Sequence, residues 1–166
     1  MSEGVAIWRI ATDAPDYEAD DLSGKGAERT GGRWNRKGTP LVYASVTRAL
    51  ACLETVVHLG CGDPLPLNRY LVRIAIPREL WRARAVFDPD GHDGWDAMPA
   101  GRVSLEWGRA WTTAGKAVLA EVPSAIVPEE SNVLINPVLA AIAKLKATKV
   151  RKWTYDPRLH ARATPR

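Results

Sequence analysis

Short alternating runs of apolar and polar residues dominate the chain, separated by glycine-, proline- and aspartate-rich breaks. Val5–Ile10 (VAIWRI) and Leu41–Ala44 (LVYA) predict strands. Tyr70–Ile76 alternates Tyr70, Val72, Ile74 and Ile76 against Arg73 and Ala75 until Pro77 stops it, the pattern of a strand with one buried face. After Ala44 the period changes. Ala49, Leu50, Leu53 and Val57 recur at helical spacing from Val46 to about Leu59, with Ser45 placed as the N-cap. Glu54 falls on the border of that apolar face, one turn beyond Leu50 and one turn before His58. Asp88–Arg102 is rich in turn residues, with Asp88-Pro89-Asp90-Gly91 the clearest signal, and Ser104–Ala114 predicts a helix despite Gly108. Ala117–Val127 reads as a strand interrupted at Pro123-Ser124. Proline inside a sheet demands an edge or a bulge, and a bulge would aim Ser124 out of the regular pleat. Val133–Ile135 is a short strand closed by Asn136-Pro137, Val138–Ala147 an alanine-rich helix, and Lys152–Tyr155 a last strand before a polar tail.

The resulting order, β–β–α–β–α–β–β–α–β, is an α+β pattern built from many short strands. At 166 residues it fits one compact domain, and the 46% hydrophobic and 25% charged content is ordinary for a globular chain. Apolar runs are too short for a membrane span. The first ten residues carry Glu3 and Arg9 and lack the basic and apolar regions of a secretory signal, so cytoplasm is the expected location. Cys52 and Cys61 match neither a zinc pair nor a redox motif, and His58, His92 and His160 are scattered, so no metal is expected. The formal charge is +4, with much of the excess between Lys144 and Arg166, which suits an anionic partner without choosing between nucleic acid, phosphorylated substrate and acidic protein.

The candidate chemistry begins in a loop from Gly24 to Gly38, where Gly24, Gly26, Gly31, Gly32 and Gly38 stand among Lys25, Arg29, Arg33, Arg36 and Lys37. It holds neither a dinucleotide fingerprint nor a P-loop. Glycines and cations together can still bring amides and guanidinium groups to a phosphate, and turn chemistry explains the glycines equally well. Gly31-Gly32-Arg33-Trp34-Asn35, then Leu41-Val42-Tyr43-Ala44-Ser45, then Leu50-Ala51 through Glu54 to Val57-His58 resemble the signature of the RES domain. Val122–Pro128, Asn132, Leu134–Pro137 and Tyr155–Leu159 are similar to its second half. The resemblance runs from about Trp8 to Leu159, with residues 1–160 taken as the domain and 161–166 as a tail. The arginine, glutamate and serine that name the family correspond to Arg33, Glu54 and Ser124. Family members often carry an aromatic after the Asn132 position and a histidine soon after the Asn-Pro pair; here Val133 and Val138-Leu139 stand there.

The resemblance implies a fold similar to ADP-ribosyltransferases of the diphtheria-toxin type. It also implies a toxin of a bacterial toxin–antitoxin pair, acting on NAD as substrate with no resident cofactor. Its partner would be an Xre-like helix-turn-helix antitoxin that blocks the site, within a complex containing a toxin homodimer. Breaking the nicotinamide–ribose bond develops positive charge on the ribose, which a carboxylate held beside it stabilises. Glu54 is the candidate for that role, and Arg33 is the natural bidentate clamp for the pyrophosphate. Ser124 is expected to hydrogen-bond the nicotinamide amide or a ribose hydroxyl, and Tyr43 to stack on a substrate ring. Gly32, Arg48, His58 and Asn132 complete the expected substrate-binding set. His58 could orient Glu54, Arg48 could add positive potential, and Asn132 could fix the backbone near Ser124. Trp34 and Asn35 are expected to shape the loop.

Two outcomes share this first step. NAD breakdown by water or phosphate is preferred, because no long loop stands out as a protein platform; mono-ADP-ribosylation of a protein acceptor is the alternative. A basic nucleic-acid-binding or ribonuclease toxin is the reading from another class, suggested by the cationic C-terminal third and opposed by the absence of a nucleic-acid motif.

Overall fold

The computed structural model describes residues 4–60 and 62–159; Cys61, His160 and the expected 161–166 tail lie outside the described residues. Seven strands form one sheet: β1 (Val5–Thr12), β2 (Val42–Ser45), β3 (Arg69–Ile76), β4 (Ala85–Val86), β5 (Leu119–Pro123), β6 (Ser131–Ile135) and β7 (Lys146–Lys152). Their order is β4-β5-β6-β2-β1-β3-β7. Neighbours are antiparallel except β4 and β5, which run parallel. Among the described residues four α-helices accompany them: α1 (Lys25–Thr30), α2 (Arg48–Val56), α3 (Arg78–Arg82) and α4 (Arg102–Ala114). The fold is α+β, as the patterning predicts. No helix among the described residues is long and apolar enough to cross a membrane.

Strand alternation sends side chains to two faces. On one face Ile7, Val42, Val72, Ile74, Ile76, Leu119, Val133 and Ile135 form a continuous core, covered by Leu22, Leu80, Leu139 and Ile142. The other face carries two separate clusters. Trp8, Ile10 and Leu71 pack beneath Ala51 and Cys52 of α2. At the opposite end Ala120, Val122 and Leu134 lie under Trp34, Phe87, Trp95 and Trp111. Between these clusters the sheet presents Ser45 and Asn132, which face each other across β2 and β6. The polar seam is where the site lies.

Several local expectations are overturned. Ser45 does not cap α2: it is the last residue of β2, and the cap is Thr47, extended at φ −122° and ψ 155°, whose Oγ1 accepts from Leu50 N at 3.1 Å. The glycine-rich stretch contains α1, entered through Gly24 at φ 76°, a left-handed conformation that favours glycine. Ala125–Val127 is not a strand and Pro123 makes no bulge, for Pro123 pairs in register with Ser131. The chain turns instead, because Ser124 Oγ accepts from both Ile126 N and Val127 N at 3.1 Å and Ser124 N bonds Glu130 O. Val138–Ala147 is not a helix either. A 3₁₀ turn at Ala140–Lys144 gives way to β7, whose pairing along β3 outweighs the helical preference of its alanines. The strand expected at Lys152–Tyr155 is therefore earlier, ending at Lys152.

Candidate active site

Helix α2 delivers Glu54 to the polar seam. Thr47 fixes the helix start and also donates from Oγ1 to Glu130 Oε2 at 2.9 Å, tying the first turn to the segment that precedes β6. One turn beyond buried Leu50, the Glu54 carboxylate receives two bonds at the same oxygen. Ser124 Oγ donates to Oε1 at 2.8 Å and Asn132 Nδ2 donates to it at 2.5 Å. Oε2 accepts no hydrogen bond from a described residue. Ser124 is fully buried, its hydroxyl proton directed to Glu54 and its lone pairs to the turn amides. Asn132 thus contacts the carboxylate itself, while its backbone pairs with Val122, two residues before Ser124.

A second group lies two residues back along β2. The Tyr43 hydroxyl donates to Asn35 Oδ1 at 2.7 Å and accepts from Trp34 N at 3.0 Å. Burial pushes its phenol well above the ordinary value, and the bonds at Trp34 and Asn35 and the Arg33 charge offset this only in part. The Tyr43 hydroxyl thus anchors the Gly31–Asn35 loop. Asn35, buried, bonds the carbonyls of Ala27, Arg36 and Thr39 with its amide, and Trp34 is sunk in the aromatic cluster. Gly32 is exposed on the loop surface, where a Cβ would stand 2.6 Å from the Tyr43 hydroxyl, so only glycine lets the loop lie this close.

Arg33 projects from this loop, yet its guanidinium does not reach Glu54. Nη1 donates to Trp95 O at 3.0 Å and Ala97 O at 2.9 Å, and Nη2 meets Met98 Sδ at 3.0 Å. Arg48, the first residue of α2, is exposed and stacks over Trp8, with Cζ 3.7 Å from the ring centroid. Trp8 pairs with Ser45 across β1 and β2, so Arg48 stands at the other end of the row that holds Asn132. His58 is exposed in the turn after α2 and supplies none of the Glu54 bonds. Val133 is buried on the opposite face, so an aromatic at that position would enter the other core rather than the seam.

The structure therefore brings Glu54, Ser124 and Asn132 into contact, places Tyr43 and Gly32 on the adjoining loop anchor, and leaves Arg33, Arg48 and His58 apart from the carboxylate. Sequence reading missed Thr47, Glu130 and the position of Ser45. A threonine just before the helical period was a signal for the first; nothing local announced the other two. The arrangement holds one carboxylate on a helix, orients it by two neutral donors at Oε1 and leaves Oε2 without a hydrogen bond from a described residue. Such a group is suited to stabilising a cation that forms beside it.

The sequence model of the RES domain matches residues 6–158. A Sphingobium protein named Prs ADP-ribosylating toxin is 57% identical over 159 residues, covering 95% of this chain and 98% of its own. Toxin Res of Pseudomonas putida is 37% identical over 156 residues, 92% of this chain and 98% of that protein. Toxin Res of Photorhabdus laumondii is 38% identical over 145 residues, 86% and 90% of the two chains.

Proposed function

The chain belongs to the RES-domain family of toxins, and on that footing we propose that it cleaves the nicotinamide–ribose bond of NAD. The observation that carries this reading is the Glu54 carboxylate, held at Oε1 by Ser124 and Asn132, with no described residue donating to Oε2. When the C1′–N bond breaks, its electron pair returns to the pyridinium nitrogen and neutral nicotinamide leaves. The ribose carbon is left cationic, and Glu54 faces that charge until a nucleophile attacks and gives up its proton. Arg33 would clamp the pyrophosphate, exchanging the carbonyls of Trp95 and Ala97 for phosphate oxygens. Arg48 would add positive potential at the opposite end of the row. Tyr43 and Gly32 would set the loop against the ligand.

For the second half of the reaction, the name of the 57% identical relative favours transfer of ADP-ribose to a protein over breakdown by water or phosphate. The antitoxin partner is proposed on the same footing, with an Xre-like protein covering the cleft of a toxin dimer. The test is incubation of purified protein with NAD labelled in the adenine, alone, with phosphate, and with bacterial extract. Nicotinamide release, lost in Glu54→Gln, supports cleavage; label on a protein supports transfer, and free ADP-ribose or its phosphate supports breakdown. A wild-type protein that releases no nicotinamide in any arm overturns the reading.

A further inference from the structure

We propose that Ser45 is a positioning residue that fixes the orientation of the Asn132 amide and, through it, the Glu54 carboxylate. The inference rests on the reading of Glu54 given above. Ser45 is 3% exposed, lies in the middle of the sheet and pairs directly with Asn132. A hydroxyl buried in such a place is costly unless bonded. Its Oγ donates to Asn132 Oδ1 at 2.7 Å, while Asn132 Nδ2 donates to Glu54 Oε1 at 2.5 Å.

The chemistry of the three groups leaves one consistent arrangement. An ionised carboxylate only accepts, so the amide must present its nitrogen to Glu54. Its oxygen then points to β2 and needs a donor there. Ser45 is the residue directly across the strands, and its hydroxyl supplies that donor. The reverse orientation would set Oδ1 against Oε1, two acceptors in contact. Alanine at position 45 leaves Oδ1 without a donor and removes the restraint that holds Nδ2 on the carboxylate. Ser45 thereby acts on Glu54 without touching it, from a strand that carries Tyr43 two residues earlier and is paired with Trp8 of β1. With Ser124 it concentrates the donors on Oε1.

The experiment is a double-mutant cycle with nicotinamide release from NAD as one readout and the Asn132 side-chain amide resonance as the other. The resonance is identified by its disappearance in Asn132→Asp. Ser45→Ala is expected to lower kcat about 3- to 10-fold, the loss typical of one neutral hydrogen bond, with KM changed less than about twofold. In an Asn132→Ala background the same substitution is expected to do nothing further, since its only route to Glu54 is gone. Ser45→Thr, which keeps the hydroxyl, should restore most of the rate. The amide resonance should shift and broaden in Ser45→Ala. Additive losses in the cycle, or an unmoved amide resonance, overturn the proposal. If wild type releases no nicotinamide, the reading of the function falls, and the amide resonance alone decides the role of Ser45.

Discussion

Tyr43→Phe separates two roles that the same residue was open to. If Tyr43 serves by stacking its ring on the substrate, phenylalanine keeps the ring and the change is mild. If it serves by anchoring the Gly31–Asn35 loop, the hydroxyl is what matters. Removing it strands Trp34 N and Asn35 Oδ1, now held at 3.0 and 2.7 Å. Each buried group left unpartnered costs about 1–3 kcal/mol, partly offset because phenylalanine itself is more apolar, for a net of about 2 kcal/mol. In a domain of this size that corresponds to a fall in Tm of about 4–8 °C. The loop also carries Arg33, so KM for NAD is expected to rise about threefold or more while kcat changes less. A pH series adds a sign. The folded phenol is held above its ordinary value of 10.0, so above that pH the unfolded chain ionises while the folded one does not. The contribution is complete below pH 10 and declines as pH rises beyond it, and Tyr43→Phe should remove that part of the alkaline slope. Thermal melts and denaturant titrations measure both. A Tm within 1 °C of wild type (below about a half kcal/mol) together with an unchanged KM would refute the anchoring role.

Other substitutions probe the supports of the site. Gly108→Ala in α4 sets a Cβ 1.9 Å from Trp34 O, a backbone atom that cannot swing away; denaturant unfolding should show a loss of about 2 kcal/mol or more. Thr47→Ala removes the cap of α2 and its bond to Glu130, and calorimetry should record about 1 kcal/mol lost with Tm down about 2–4 °C. Asp13 is held below the ordinary carboxylate value by the side-chain bond from Lys149, then by the Ala19 amide. Its contribution is present above the unfolded value and is lost as pH falls through the lower folded one, so Asp13→Asn should flatten the acid limb of the stability curve. An unchanged acid limb would count against that pairing.

The sequence announced Arg33, Glu54 and Ser124 through a motif, and periodicity put Glu54 at the edge of an apolar face. The meeting of Glu54 with Ser124 and Asn132 was not legible, because those residues lie 70 and 78 positions away and no spacing rule connects them. Ser45 was misread for a local reason: a serine before a helical pattern resembles a cap, and Thr47 stands only two residues on. The helix expected at Val138–Ala147 failed for a non-local reason, since alanine favours helix in isolation while the free edge of β3 offers a full ladder of hydrogen bonds. The strand order was equally hidden. β6 inserts between β5 and β2, a pairing that hydrophobic alternation cannot choose.

That insertion has a consequence for when the protein can act. Residues 42–56 provide the helix and the carboxylate, but the two donors to Glu54 and β6, one of the two strands that flank β2, come from residues 124–135. Contacts between such distant segments form late, after the loop between them has been closed at an entropic cost. A chain still emerging from the ribosome short of Ser124 holds Glu54 without either donor and β2 without β6. Competence of the site therefore waits on the last third of the chain, however early Glu54 is made.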